Sequence, residues 1–271
     1  MGKRKASNDQ RASDRLQSLV IRRRDRVLEE AIAHDRIAIH FQPLIEPATG
    51  RIVSVEALAR WEGEDSATKL FARATRGGLK ERLSRFAQRK ALRIAGAWAP
   101  PLSDLRLSIN LLAEDLAREG YDSWLLREIA AAGLSPDRIT IEITEDSLLA
   151  DQSLAAARLA RLRAAGVQIA VDDFGTGYAS LSYLTSLPLD TLKIDRGLVV
   201  DLVEGQRDRI VVRAMISLAR ELDLKVVVEG VETAEQLALL AEWGCDLYQG
   251  FLGSIALDED DLARFVSDAA A

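Results

Sequence analysis

Short apolar runs rich in β-branched residues alternate along the chain with longer segments in which apolar residues recur at helical spacing. The short runs predict buried strands, and the longer segments predict amphipathic helices. This alternation is typical of an α/β fold with a parallel sheet, either doubly wound or closed into a barrel. The strand candidates are Arg106–Asn110, Ile139–Ile143, Gln168–Asp172, Thr191–Ile194, Lys225–Val228 and Asp246–Gln249. The helix candidates lie near residues 113–132, 152–165, 206–222 and 233–243.

Two further extended runs, residues 37–45 and 52–60, precede this alternation. The turn-forming segment Pro47-Ala-Thr-Gly50 separates them. A connection this short favours an antiparallel pair, so the sequence predicts a hairpin at the start of the fold.

Polar residues recur where the predicted strands end. A closed barrel brings the carboxyl ends of its strands to one face, where barrel enzymes carry out their chemistry, whereas an open sheet would spread them along an edge. A repeated polar residue at this place therefore favours the barrel. The residues concerned are Asn110, Glu142, Asp172, Asp173, Lys193, Glu229 and Gln249.

Composition narrows the class of protein. The 271 residues, 48% of them hydrophobic, suffice for one large domain. No apolar stretch approaches the roughly 20 residues of a membrane span, and the basic N-terminus lacks the apolar region of a secretory signal. Cys245 is the only cysteine, which excludes an intrachain disulfide and favours a cytoplasmic location. With only His34 and His40, a metal site would use oxygen ligands, which suit magnesium or manganese better than zinc.

The net charge of -6 is unevenly distributed. Residues 1–25 carry eight Lys or Arg and three Asp, a charge of +5, so the remainder carries -11. We interpret residues 1–25 as a basic extension, flexible or helical, and residues 26–271 as the folded domain. The extension could contact an acidic membrane or nucleic acid, but a solvated end is the simpler interpretation. The acidic domain argues against binding long nucleic acid, though it allows a small anion held by metal ions.

Acidic and amide side chains that converge on one face would repel each other without cations, so the pattern predicts a two-metal site. Adjacent carboxylates such as Asp172 and Asp173 can serve two ions if both turn toward the site. Alone, this pair could equally cap a helix. Lys193, in an apolar strand among acids, could position and deprotonate a water molecule, or form a buried salt bridge.

These residues, in their order, resemble the EAL domain family, whose members hydrolyse cyclic di-GMP. The resemblance covers roughly residues 30–265. It is carried by Gln42-Pro43, Glu56-Ala-Leu-Ala-Arg60-Trp61, Asn110, Glu142-Ile-Thr-Glu145, Asp172-Asp-Phe-Gly-Thr-Gly-Tyr-Ala-Ser-Leu-Ser-Tyr-Leu184, Lys193-Ile-Asp195, Glu229-Gly-Val-Glu-Thr233 and Gly244-Cys-Asp-Leu-Tyr-Gln-Gly250. The resemblance implies a TIM-like (β/α)8 barrel with an antiparallel first strand, in agreement with the predicted hairpin.

The resemblance also implies two metal ions, Mg²⁺ or Mn²⁺, held by two sets of ligands that share a bridging aspartate. The first set is Glu56, Asn110, Glu142 and Asp172. The second set is Asp172, Asp173 and Glu229.

The other implied roles concern water and substrate. Lys193 would orient or deprotonate the attacking water, and Gln249 would be a partner of that water. Arg60 would grip a substrate phosphate, and Gln42 and Leu58 would lie beside the dinucleotide. The expected reaction is hydrolysis of cyclic di-GMP to linear 5′-pGpG.

Glu145 would hold the loop of residues 173–182 in its productive form. In the family this loop links the dimer contacts to the metal site, so a homodimer is expected. A separate regulatory or sensor protein would be a further partner.

Two alternatives remain. A catalytically silent domain would bind cyclic di-GMP or a protein without turnover; the presence of every metal ligand argues for activity. An unrelated metal-dependent barrel, such as an enolase-like lyase, would explain the carboxylates but not the Glu56–Arg60 and Glu142–Glu145 spacings.

Two segments depart from the family pattern. Leu70-Phe-Ala-Arg-Ala-Thr75 lacks the usual proline and glutamate, and Gly253-Ser-Ile-Ala256 replaces the usual Phe-Ser-Lys-Pro. In the family both segments border the guanine-binding groove. We therefore expect weaker substrate binding through the changes at Ala72–Thr75 and Gly253–Ala256, with near-normal turnover.

Overall fold

Eight strands form a closed barrel in the order β1 to β8. The structure is a computed structural model, and it describes residues 25–64, 66–144, 152–175 and 181–269. The strands are β1 (Ala38–Ile45), β2 (Ile52–Arg60), β3 (Arg106–Leu111), β4 (Ile139–Thr144), β5 (Gln168–Phe174), β6 (Thr191–Ile194), β7 (Lys225–Val228) and β8 (Leu247–Tyr248). β1 runs antiparallel to both of its neighbours, and the other neighbouring pairs are parallel. The predicted TIM-like barrel with an antiparallel first strand is confirmed.

Helices surround the barrel. Within the described residues they are α1 (Arg26–Ala33), α2 (Ala67–Gly77), α3 (Lys80–Gly96), α4 (Ala113–Ala117), α5 (Tyr121–Ala131), α6 (Gln152–Ala164), α7 (Leu181–Ser186), α8 (Gln206–Glu221), α9 (Ala234–Trp243) and α10 (Glu259–Ala269). The single helix predicted near residues 113–132 is two helices, because Gly120 adopts a left-handed backbone between them (φ 72°). None of the helices in these described ranges is long and apolar enough to cross a membrane.

Side chains along each strand alternate between two sides: one packs against the outer helices, and the other faces the barrel interior. In β4, Ile139, Ile141 and Ile143 are fully buried and belong to the main hydrophobic cluster. Thr140 and Glu142, which alternate with them, point to the other side of the strand and line an internal cavity. The apolar positions therefore attach each strand to the outer helices, and the polar positions face the barrel axis.

Capping residues define the ends of the first two helices. The Asp25 carboxylate accepts a hydrogen bond from the Leu28 amide (3.0 Å) and caps α1. Ser66 caps α2 in the same way, and Gly78 ends that helix in a left-handed conformation (φ 69°). Asp25 thus belongs to the start of α1, while the rest of the predicted basic extension, up to residue 24, lies outside the described residues.

Candidate functional site

The polar residues predicted at the strand ends lie together at the carboxyl-terminal face of the parallel strands, around Lys193. The Lys193 side chain is 1% exposed, so its charge must be satisfied by protein groups. Its Nζ lies 2.7 Å from Glu229 Oε1, 2.8 Å from Glu142 Oε2, 3.1 Å from Asp172 Oδ1 and 3.6 Å from Glu56 Oε2. The lysine is therefore the centre of a buried ion-pair cluster formed by four strands, β2, β4, β5 and β6, and the residue that follows β7.

Amide side chains fix the orientation of Glu56. Asn110 Nδ2 donates to Glu56 Oε1 (2.7 Å), and Gln249 Nε2 donates to Glu56 Oε2 (3.0 Å). Strand register places these groups: Asn110 is aligned with Glu142 across β3 and β4. Gln249 Oε1 is buried and lacks a hydrogen-bond partner among the described residues. That oxygen remains available to a water molecule or another ligand.

An irregularity in β5 turns two adjacent aspartates toward the same place. The register with β6 shifts between Val171 and Phe174, and Asp173 has a left-handed backbone (φ 55°). As a result, Asp172, Asp173 and Glu229 can each offer a carboxylate oxygen within 4.8 Å of the others. Both aspartates therefore face the site because of a local bulge, which an ordinary strand end would not provide.

The pKa values show that one lysine cannot neutralise this many acids. Burial alone would lower the pKa of Lys193, but the carboxylates raise it well above its usual value, so it is an ammonium ion. Burial raises the pKa of Glu229 to about 8 and that of Asp173 to about 6, and the charge of Asp172 adds to both. Burial also raises the pKa of Glu142, against the attraction of Lys193. The nearby charge of Lys193 and hydrogen bonds from two amides lower the pKa of Glu56 against the effect of burial.

The donor set fits divalent cations that prefer oxygen. Four carboxyl groups surround a single ammonium group and a fifth, that of Asp173, lies beside them, so fully ionised carboxylates would leave four excess negative charges. Hard cations such as Mg²⁺ and Mn²⁺ bind such oxygens. The Asp172, Asp173 and Glu229 group corresponds to the second ligand set suggested by the sequence. The first set shares Asp172 with it and is joined through Lys193 and the Asn110–Glu56 hydrogen bond.

A cavity of about 360 Å³ opens beside the carboxylates. Leu58, a residue predicted to contact the substrate, lines it. Its walls are the end of β2, with Glu56 and Leu58, and the helices α2 and α3. Thr68 and Phe71 of α2 line it; Phe71 belongs to a segment expected to border the guanine-binding groove, and Thr68 was not predicted. The capping Ser66 and the helical spacing that follows it could have identified α2, but nothing in the spacing shows which face meets the cavity.

Arg60 is the last residue of β2, and Gln42 lies in the middle of the neighbouring strand β1, opposite Glu56. Burial lowers the pKa of Arg60, which forms no ion pair with any residue in the described ranges and donates only to the Ala59 carbonyl (3.1 Å). A half-buried guanidinium without a carboxylate partner suits an anionic ligand. Gln42 donates to the Ser254 carbonyl (3.2 Å) and lines a smaller cavity of about 150 Å³ with Glu229 and Gln249.

Of the predicted site residues, Glu145 lies outside the described residues, as does the 176–180 part of the predicted loop. All of the other predicted side chains lie at this face of the barrel. Arg196 and Glu232, which line the smaller cavity, were not predicted, although Arg196 follows β6 as the other polar residues follow their strands.

The structure corrects the expectation for Gly253. A β-carbon at this position would lie 2.6 Å from Ile45 Cδ1 and 3.3 Å from Tyr248 Cε2. Ile45 and Tyr248 belong to the buried core. A side chain at residue 253 would therefore start toward the core and not over a base in the groove, so the loss of an aromatic ring there does not predict weaker stacking.

The segment Leu70–Thr75, which departs from the family pattern, is helical. It is the middle of α2, which begins at Ala67. A proline at position 72 would interrupt the hydrogen bonds of this helix, so its absence lets the helix continue through the segment. Leu70 and Ala74 are fully buried on the core side.

Comparisons with known proteins agree with this geometry. A family model described as EAL domain matches residues 25–254. The cyclic di-GMP phosphodiesterase NbdA of Pseudomonas aeruginosa is 37% identical over 252 residues, which cover 90% of this chain and 32% of NbdA. The chain spans about a third of the length of the first curated relatives it matches.

Solved structures show the same fold. The PaMucR phosphodiesterase in complex with c-di-GMP aligns with a TM-score of 0.81 at 33% identity, covering 87% of this chain and 97% of that one. A manganese and cy-diGMP complex of Klebsiella pneumoniae BlrP1 aligns with a TM-score of 0.73 at 35% identity, covering 80% of this chain and 55% of that one.

Proposed function

The chain belongs to the EAL domain family, and on that premise we propose that it hydrolyses cyclic di-GMP to linear 5′-pGpG with two divalent metal ions, Mg²⁺ or Mn²⁺. The observation that carries the proposal is the cluster at the barrel mouth in which four carboxyl groups pair with Lys193 and a fifth, Asp173, lies beside them. It lies beside a cavity and close to a guanidinium that has no ion pair within the described ranges. The names of NbdA and PaMucR support the substrate.

The carboxylates and Asn110 would hold the metals. Glu56, Asn110, Glu142 and Asp172 form one ligand set, and Asp172, Asp173 and Glu229 form the other. Divalent ions in such a site polarise phosphate oxygens and lower the pKa of water. Their charge also offsets the excess of negative charge, which would otherwise repel an anionic phosphodiester.

The remaining side chains orient the reactants. Lys193 is an ammonium group fixed by four carboxylates, so it donates hydrogen bonds and would orient the attacking water. The unpartnered Gln249 Oε1 could accept a hydrogen bond from the same water. Arg60 would bind a phosphate oxygen. Attack of water on phosphorus opposite the 3′-oxygen would form a new P–O bond and break the bond to the 3′-oxygen. The proton lost by the water balances the one gained by the 3′-oxygen, and the phosphate stays on the 5′-oxygen.

A direct assay tests this proposal. Purified protein is incubated with cyclic di-GMP and Mg²⁺, Mn²⁺ or Ca²⁺, and the products are separated by chromatography. We expect 5′-pGpG with Mg²⁺ and Mn²⁺, little with Ca²⁺ because of its longer and looser coordination, and none with Glu56→Ala. Binding without turnover in the presence of either active metal would instead support the receptor function.

We also propose that the chain acts as a homodimer. Exposed apolar side chains support this proposal: Val200 is 63% exposed, and Ile210 and Val211 on α8 are 63% and 43% exposed. Sedimentation should show a dimer that Ile210→Glu weakens. Val27→Glu, at an equally exposed valine of α1, is the matched control and should not weaken it. A fully active monomer at micromolar concentration would contradict the proposal. The cytoplasmic location stays a prediction from the sequence.

A further inference from the structure

Two walls of the cavity beside the carboxylates are linked by one arginine, Arg73. One wall is the end of β2, which carries Glu56 and Leu58. The other includes α2, with Thr68 and Phe71. Since the cavity lies between these elements, its width depends on how α2 is fixed to the end of β2.

Arg73 makes this connection from the side of α2 opposite Phe71. Its Nη1 donates to Glu64 Oε1 (3.2 Å), and its guanidinium lies 4.6 Å from the centre of the Trp61 ring. The Glu64 amide donates to the Trp61 carbonyl (3.1 Å), so both residues belong to one tight turn. Trp61 directly follows Arg60, the proposed phosphate-binding residue. A displacement of Arg73 would therefore reach both the helix and the strand end.

Asp25 holds Arg73 in this position. Arg73 Nε and Nη2 donate to the two Asp25 carboxylate oxygens at 2.6 and 3.2 Å. The Arg73 side chain is 28% exposed and that of Asp25 is 19%, so solvent only partly screens the pair. The hydrogen bond from Arg73 holds the pKa of Asp25 below its usual value, and the carboxylate stays ionised at neutral pH. A planar guanidinium can make this two-point contact and also stack on Trp61, which a lysine cannot do.

We propose that Arg73 is a positioning residue that sets the separation of α2 and β2 and thereby the affinity for the cyclic dinucleotide. This inference rests on the proposed function. It assigns a role to Arg73 in the segment that lacks the family's proline and glutamate. No contact joins Arg73 to the carboxylate cluster within the described residues, so its loss should change binding rather than the chemical step.

The test compares Arg73→Gln and Arg73→Lys with the wild type and with Arg82→Gln. Arg82 is a matched control because it also pairs with an acid near α1, donating to Glu29 Oε1 (2.9 Å), but from α3 and away from the cavity. KM and kcat are measured with Mg²⁺. The Kd for cyclic di-GMP is measured by calorimetry with Ca²⁺, where turnover should be slow. Thermal unfolding confirms that each variant is folded.

We expect Arg73→Gln to raise both KM and Kd about three- to tenfold with kcat within about twofold, since the lost positioning acts on binding. Arg73→Lys should be intermediate, and Arg82→Gln unchanged. Unchanged affinity in Arg73→Gln, or an equal loss in Arg82→Gln, would overturn the proposal. If Arg73→Gln does not fold, Arg73→Lys and Asp25→Asn decide the question by the same criteria.

The same experiment separates this inference from the function on which it rests. A wild type that binds cyclic di-GMP without hydrolysing it overturns the proposed hydrolysis, while the Kd series still decides the role of Arg73. A wild type that neither binds nor hydrolyses overturns both.

Discussion

Two neighbouring layers inside the barrel, whose residues are two positions apart along the chain, differ in their chemistry. The upper layer is charged or amide-bearing, and the lower layer is uncharged and small. The pairs, lower residue first, are Ser54 and Glu56, Ser108 and Asn110, Thr140 and Glu142, Ala170 and Asp172, Thr191 and Lys193, and Val227 and Glu229. The lower residues line a cavity of about 1060 Å³ that opens at the opposite end of the barrel.

The difference shows that position along a strand, and not the strand itself, decides where chemistry can occur. In the upper layer each carboxylate contacts Lys193 or lies next to one that does, so each depends on its neighbours. In the lower layer, the hydroxyls of Ser54, Ser108, Thr140 and Thr191 donate no hydrogen bond to another residue in the described ranges. The lower layer therefore supplies matched control positions for the upper one.

The largest effect should come from removing an upper-layer ligand. Asp172→Asn and Glu56→Ala should each reduce hydrolysis by more than about 100-fold, because each removes a proposed metal ligand. Ser54→Ala and Thr140→Val, one layer below, should leave kcat within about twofold. Steady-state kinetics with Mn²⁺ measures all four, and comparable losses in both layers would contradict the comparison.

Lys193→Met should abolish hydrolysis and also destabilise the fold. It leaves Glu142 and its neighbours buried without their counter-ion, which typically costs about 3–5 kcal/mol. Thr191→Val, two residues earlier on β6, is the control and should change stability little. Urea unfolding without metal gives both values. Added Mn²⁺ should restore part of the lost stability in Lys193→Met; near wild-type turnover in this variant would contradict the assigned role.

Metal affinity should rise with pH. The pKa of Glu229 is raised from 4.5 to about 8, so the metal-free folded protein retains a proton that the unfolded chain has lost. That contribution to stability is complete below about pH 4.5 and disappears as the pH rises through 8. A metal must displace this proton, so the apparent affinity for Mg²⁺ should increase about tenfold between pH 6 and 7. Calorimetry measures it, and a pH-independent affinity would refute the account.

The smallest effect concerns Gly253, which lies after β8 against the core. Gly253→Ala should destabilise the protein by about 1 kcal/mol, because the new β-carbon meets the flexible end of the Ile45 side chain. The Kd for cyclic di-GMP should not change. Tighter binding in Gly253→Phe would restore the interpretation that this position faces the guanine.

Local patterns were sufficient for much of the fold. The β-branched runs located the strands to within about two residues, because burial on one face imposes alternation. Helix α3 was not predicted, since its buried face includes the polar residues Ser84 and Gln88, which obscure the apolar period. Helix α2 was also not predicted. It contains the segment Leu70–Thr75, which lacks the family's proline.

The site was more predictable than its surroundings. The metal-ligand candidates follow strands in series, so their convergence is a consequence of barrel topology. The contact between Asp25 and Arg73 joins residues 48 positions apart and has no periodic signal in the sequence. The bulge at Asp173 likewise depends on the pairing with β6. The sequence therefore allowed only the conditional statement that both aspartates serve the site if both turn toward it.

The central claim is that water, activated at the upper layer, cleaves a phosphodiester bond of cyclic di-GMP. It is tested most directly by turnover in ¹⁸O-labelled water with Mn²⁺, followed by mass spectrometry of the product. The account predicts linear 5′-pGpG with one ¹⁸O atom on its terminal 5′-phosphate, and no product from Asp172→Asn. Recovery of unchanged, unlabelled cyclic di-GMP from wild-type protein that binds it would contradict the claim.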